Sequence, residues 1–263
     1  MSEPQPSKPE ADAPDVPAAR PAHIGFRRFS TAEFLMALVL MIVAAPFLED
    51  MPHGKGIDAT LMTLVLVSGV LAVGRSRRML VWAAALVIPA VVSRWIDHFW
   101  PDLIPKGVLF ATDLVFLVFL IGQFLRFILR APRVNAEVLY AGISVYLLLG
   151  LSWMFGYLFV AWLGNPQHPA FAFNAGPAGQ SMDGFTAYYF SFVTLTTVGY
   201  GDITPVSNGA RALAAMEAMT GTLYVAVLIS RLVALYSSEK LQSGENQPRP
   251  DDNKLSTRDL EKQ

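Results

Sequence analysis

Six apolar runs separated by short basic or polar clusters constrain this chain more than any other feature. They cover about Ala32–Leu48, Ala59–Gly74, Met79–Ile96, Gly107–Leu129, Ala136–Leu163 and Ala210–Tyr236. A helix needs roughly 20 mostly apolar residues to cross a hydrocarbon core about 30 Å thick. Composition agrees with such a solvent: 53% of the 263 residues are hydrophobic and 16% charged, against about 25% charged in soluble domains. The reading is an all-α membrane protein with six transmembrane helices in contact with membrane lipid.

The same arithmetic excludes several functions. Twenty basic and 21 acidic residues leave a net charge of −1, with no surplus to neutralise a nucleic-acid backbone, so no nucleic-acid partner is expected. No cysteine is present and the four histidines (His23, His53, His98, His168) stand singly, which leaves little for metal or thiolate chemistry. No nucleophile triad or phosphate-cradling glycine loop is visible, so the chain is not read as an enzyme.

Basic residues near the span ends set the orientation. Arg20, Arg27 and Arg28 precede the first run, Arg75, Arg77 and Arg78 join the second to the third, and Arg126, Arg130 and Arg133 join the fourth to the fifth. The opposite loops carry only Lys55, with Arg94 and Lys106 near the edges, and Gly164–Pro205 carries no basic residue. The positive-inside bias then places both termini in the cytoplasm. Residues 1–30, with prolines at 4, 6, 9, 14, 17 and 21, and the polar residues 238–263 read as disordered cytoplasmic tails. No apolar stretch lies near Met1, so no cleavable signal is expected and the first run itself directs insertion.

Between the fifth and sixth runs, Phe185–Pro205 is apolar and aromatic at first, too short to cross, and rich in glycine at its end. It reads as re-entrant from the outside. Non-helical backbone at membrane depth persists only where protein encloses it or it lines a watery path. Phe185–Thr197 reads as a short helix capped by Asp183 or Ser181. Thr197-Val198-Gly199-Tyr200-Gly201-Asp202 follows it, a hexapeptide that chance would place in about one such chain in 100,000.

This segment resembles the pore of the tetrameric potassium channels. The likeness covers about Ala136–Tyr236 well and the first four runs in layout only. It implies a pore domain at 134–237, a four-helix peripheral domain at 31–133, and a homotetramer around a central pore, since one chain supplies one wall. It also implies that the carbonyls of Thr197, Val198, Gly199 and Tyr200, with the Thr197 hydroxyl, take the place of water around permeating K+. Gly199 and Gly201 suit this because glycine accepts positive φ without a Cβ clash, and the preceding helix would aim its negative C-terminal end at the central cavity.

In relatives, pore-helix aromatics brace the filter and one of them bonds the Asp after the last Gly. The matching residues here are Tyr189, which can reach Asp202, and Phe190, which has no donor, so a less firmly braced, inactivating filter is expected. Val193 stands where some bacterial relatives carry a buried Glu, and Thr196 precedes the filter. Gly221 lies twenty residues after Gly201, at the spacing of an inner-helix hinge in relatives, although a small residue there also serves close packing. Val225, Ile229 and Val233 form an i, i+4 series for the lower cavity. Glu217 is read as bracing the pore helix near Thr196, or as adding negative charge to the cavity.

The fourth run has no Arg or Lys from Phe110 to Leu125, whereas a voltage sensor needs one at nearly every third position. Asp113 is expected to pair with Arg94. The function implied is passive, potassium-selective conduction with little voltage dependence across a plasma (inner) membrane. The alternatives are a weakly selective cation leak or a silent subunit of another channel. The gating stimulus, including any gating ligand, is open; His98 and His168 are weak candidates for pH sensing.

Overall fold

The computed structural model describes residues 31–48, 54–73, 77–100, 103–133, 135–164, 167–175 and 180–245. The expectations for the tails at 1–30 and 246–263 fall outside these residues. In chain order the elements are α1 (Thr31–Leu48), α2 (Gly54–Val73), α3 (Arg77–Phe99), α4 (Lys106–Arg130), α5 (Ala136–Leu163), β1 (Phe171–Phe173), α6 (Gly184–Leu195), β2 (Ile203–Pro205) and α7 (Asn208–Glu245). Among the described residues, four segments are long and apolar enough to cross a membrane: Arg78–Phe99, Lys106–Arg130, Ala136–Leu163 and Asn208–Ala234. The apolar stretches of α1 and α2, Thr31–Phe47 and Ala59–Ala72, are shorter. The chain is a multi-pass, all-α membrane protein with one small sheet.

Antiparallel packing of α4 on α5 follows from the connection between them. Pro132 stops α4, and Asn135 restarts the chain as an N-cap, its side chain accepting from Val138 N at 3.0 Å. The two helices form the most extensive contact in the molecule. Phe116, Leu117 and Leu120 of α4, Leu148 and Leu151 of α5, Phe34 and Leu38 of α1, and Val65 and Leu66 of α2 are all buried in one core. Its apolar side chains match lipid in polarity, so the specificity of the bundle rests on packing and on a few polar links.

One link joins α2 to α3, where Trp95 Nε1 donates to Thr63 Oγ1 at 3.2 Å. A second is the ion pair expected between α3 and α4, with Arg94 Nη2 at 2.5 Å from Asp113 Oδ2. A third ties α1 to the start of α5, as Thr31 N donates to Glu137 Oε2 at 3.2 Å.

The sixth apolar run ends near Tyr236, but α7 continues through Ser237–Glu245, so residues 238–245, expected to begin a disordered tail, are helical instead. Extending an existing helix fixes one residue per hydrogen bond gained, and Glu239, Lys240, Leu241 and Gln242 are good helix formers. Loss of hydrophobicity therefore ends a membrane span without ending the helix.

A second, smaller core surrounds the two-stranded sheet. β1 pairs antiparallel with β2, placing Phe171 opposite Pro205 and Phe173 opposite Ile203. Phe171 and Phe190 pack at 5.5 Å between ring centroids, and Tyr157 meets Phe190 at 4.8 Å, both in edge-on geometries favoured by aromatic quadrupoles. This cluster fixes α6 against the C-terminal part of α5.

Candidate ion-conduction site

The site begins at the N-terminus of α6. Asp183 is the cap, its side chain accepting from Thr186 N at 2.8 Å. The twelve-residue helix then carries the chain to Thr196, its C-cap, whose Oγ1 donates back to the Phe192 carbonyl at 2.7 Å.

After Thr196 the backbone reverses handedness residue by residue. Thr197, Gly199 and Gly201 have φ of 61°, 55° and 79°, whereas Val198 and Tyr200 between them do not take positive φ. In an ordinary strand successive groups point to opposite sides; alternating left- and right-handed residues brings successive carbonyls toward one side. For glycine this conformation is free of a Cβ penalty. Thr197 is the only non-glycine at positive φ among the described residues, and a β-branched residue there is strained.

Hydrogen bonds hold that strand from behind. Val198 N and Gly199 N both donate to the Val193 carbonyl, at 3.0 and 3.3 Å, and Thr197 N donates to the Thr194 carbonyl at 2.9 Å. Among the described residues, no donor within the chain reaches the carbonyls of Thr197, Val198, Gly199 or Tyr200. The next two carbonyls are occupied: Gly201 O accepts from Asn174 Nδ2 at 2.9 Å, and Asp202 O from Asn174 N at 2.7 Å. Four consecutive acceptors are thus left for a partner from outside the chain, bounded at one end by helix α6 and at the other by Asn174.

The expected supporting residues are distributed around this strand. Tyr189 and Asp202 line one small pocket, and the carboxylate beside the phenol pushes it up to about 12. Phe190 is buried in the aromatic cluster and packs without bonding. Val193 acts through its carbonyl, as described above. Val198 and Tyr200 are 54% and 71% exposed on the single chain.

One stripe of α7 faces the rest of the chain. Glu217 is fully buried; its Oε1 lies 2.6 Å from Ser191 Oγ of α6, and its Oε2 contacts the Tyr157 hydroxyl of α5. The structure therefore sets it against Ser191 rather than near Thr196, and away from solvent, because the stripe meets the middle of α6 at that height. One turn on, a Cβ added to Gly221 would lie 2.4 Å from the Leu195 carbonyl oxygen, so the glycine admits the C-terminal end of α6, and α7 runs through it as one helix. Farther along, Tyr224 OH donates to the Gly142 carbonyl at 2.7 Å, and Arg231 Nη2 donates to the Leu129 and Ala131 carbonyls at 3.0 and 3.2 Å. Val225, Ile229 and Val233 project from another face and are exposed by 40%, 56% and 58%.

Asn174, Tyr157 and Ser191 escaped the sequence reading, as did the positive φ of Thr197. Asn174 lies in a loop whose nearness to Gly201 depends on the pairing of β1 with β2. Tyr157 and Ser191 sit in apolar runs, where one hydroxyl carries no periodic signal.

Residues 147–238 match the family model described as "Ion channel". The chain is 32% identical over 135 residues to the voltage-gated potassium channel Kch of Escherichia coli, an alignment covering 51% of this chain and 28% of that protein. Over 57 residues it is 46% identical to two-pore potassium channel 1 of Arabidopsis thaliana, covering 22% of this chain and 15% of that one. With protein LctB of Bacillus caldotenax it shares 30% identity over 105 residues, covering 38% of this chain and 74% of LctB. The alignments thus span under a third of the two named potassium channels. No solved structure matches the chain. The matched residues take in α6, the left-handed strand and most of α7, and the chain belongs to the potassium-channel-related family of ion channels.

Proposed function

We propose that this protein is a potassium-selective channel, a homotetramer in which four copies of the strand Thr197–Tyr200 enclose a single-file path for K+. The observation that carries the reading is the row of four consecutive carbonyls that receive no donor from the described residues. These residues are exposed on the single chain; once four copies enclose them their carbonyls demand a partner, and a cation shedding its water supplies one. The exposed flanks of Val198, Tyr200 and α7 give neighbouring copies apolar surface to cover.

In this reading α1 to α5 and α7 cross the membrane and α6 is re-entrant, its strand opening to the outside and both termini lying in the cytoplasm. K+ moves passively down its gradient across the plasma (inner) membrane. Voltage dependence is weak or absent, because α4 carries no basic residue from Phe110 to Leu125.

The test is the reversal potential of purified protein in planar bilayers when K+ on one side is replaced by Na+. The expected result is a shift close to the potassium equilibrium value, abolished by Gly199→Asp, which forces a side chain onto a left-handed glycine. Robust current without a shift would make the protein a nonselective cation leak, and silence at every voltage would favour a silent subunit.

Tyr189→Phe removes the hydroxyl that can donate to Asp202. The expected outcome is entry into a non-conducting state about two- to fivefold faster during sustained current, with the reversal potential unchanged, since one exposed hydrogen bond contributes little.

A further inference from the structure

Glu217 is the buried acid of α7, and its surroundings allow its hydrogens to be counted. Three oxygen-to-oxygen contacts meet there. Tyr157 Oη touches Glu217 Oε2, Ser191 Oγ lies 2.6 Å from Glu217 Oε1, and the same Ser191 Oγ lies 2.7 Å from the Gly150 carbonyl. Each contact needs one hydrogen. Tyr157 and Ser191 bring one each, and the carbonyl brings none. With an ionised carboxylate, two hydrogens serve three contacts and a full charge is buried. The ionisable groups facing it from α5 are the phenols Tyr146 and Tyr157, and no ion pair to Glu217 occurs among the described residues.

A neutral acid completes the count. Its own O–H donates to Ser191 Oγ, Ser191 donates to the Gly150 carbonyl, and Tyr157 donates to Oε2. The three elements α5, α6 and α7 are then closed into one chain of bonds at a single height. Close approach at that height is secured by Gly150, where an added Cβ would lie 2.6 Å from the Phe192 ring.

We propose that Glu217 is a neutral carboxylic acid that locks α6 between α5 and α7, and is thereby a positioning residue for the potassium path. It touches no ion. It acts through Ser191, two residues before Val193, whose carbonyl receives the amides of Val198 and Gly199. This role rests on the reading of Thr197–Tyr200 as the filter.

Glutamine is the discriminating substitution. Its amide nitrogen donates to Ser191 and its carbonyl accepts from Tyr157, reproducing the neutral acid's pattern without its proton. Glu217→Gln is expected to hold the K+-to-Na+ permeability ratio within about twofold of wild type, whereas Glu217→Ala, which leaves buried hydroxyls unpaired, lowers it about tenfold or more. Ser191→Ala breaks the same chain with less loss of volume and is expected to lower the ratio too, so the test survives if Glu217→Ala fails to assemble.

Infrared spectroscopy of the full-length protein at neutral pH supplies a readout independent of conduction. A protonated-carboxyl C=O band is expected in wild type and absent in Glu217→Gln. Loss of selectivity in Glu217→Gln as large as that in Glu217→Ala or Ser191→Ala, or an infrared band unchanged by Glu217→Gln, would overturn the neutral acid. Wild-type selectivity in both Glu217→Ala and Ser191→Ala would overturn the positioning role. If wild type itself is nonselective, the proposed function fails, while the infrared arm still decides the protonation state.

Discussion

Gly221→Ala is expected to cost this protein its selective current while leaving the helices in place. The added methyl would lie 2.4 Å from the Leu195 carbonyl oxygen and 2.9 Å from Leu195 Cδ1. The nearest obstacle is backbone, which cannot rotate away as a side-chain tip can. Either α7 withdraws or the end of α6 shifts, and overpacking of this kind costs about 1–3 kcal/mol. Leu195 is two residues before Thr197, and the amides of Thr196 to Gly199 bond to carbonyls between Phe192 and Thr194. A shift there passes directly into Thr197–Tyr200, the strand proposed to conduct. The K+-to-Na+ permeability ratio or the unitary conductance is expected to fall about tenfold or more, equivalent to about 1.4 kcal/mol.

The same variant separates packing from bending. A glycine acting only as a hinge would alter the fraction of time the pore is open and leave permeation through the open pore intact. Gly122→Ala is the control, because nothing lies within 4 Å of its added Cβ. Wild-type selectivity and conductance in Gly221→Ala, with changed open probability alone, would rule against packing as the reason for this glycine.

Much of the architecture was legible because each part has a local cause. The apolar runs coincide with α1 to α5 within about five residues, and for α3 to α5 hydrophobicity and helix length both fit the thickness of a bilayer. Helix α6 was visible from its cap, and the structure chose Asp183 over Ser181, with the side chain three residues before the amide it receives. Gly199 and Gly201 announced left-handed backbone by lacking a Cβ. Thr197 has no such mark: its positive φ is imposed by the bonds from Val198 and Gly199 to Val193. Asn174 was equally silent, because its contact with Gly201 spans 27 residues and exists only once β1 meets β2. Glu217 lay between these cases. A carboxyl group in a membrane span advertises a partner, but which residue of α6 it meets depends on helix register, and Ser191 replaced the expected neighbourhood of Thr196.

Asp113→Ala is expected to produce the largest loss of stability. Asp113 is fully buried in α4, and the Arg94 side chain that meets it from α3 is 14% exposed, its guanidinium lying 6.0 Å from the Phe155 ring centroid. Two opposite charges taken out of water together offset much of each other's desolvation, and removing one takes that compensation from the other. Breaking such a pair typically costs about 3–5 kcal/mol, which thermal unfolding in detergent would register as a lowered midpoint. The double variant Arg94→Leu/Asp113→Leu removes both charges and fills the space with apolar volume, so it is expected to recover most of the loss. Voltage dependence should stay as in wild type in every variant, because α4 carries no basic array beside the pair from Phe110 to Leu125. If the double variant is no more stable than Asp113→Ala, the cost lies in the shape of the carboxylate and not in its charge. If instead Asp113→Ala unfolds like wild type but acquires voltage-dependent opening, the pair belongs to gating and not to the scaffold that holds α3 against α4.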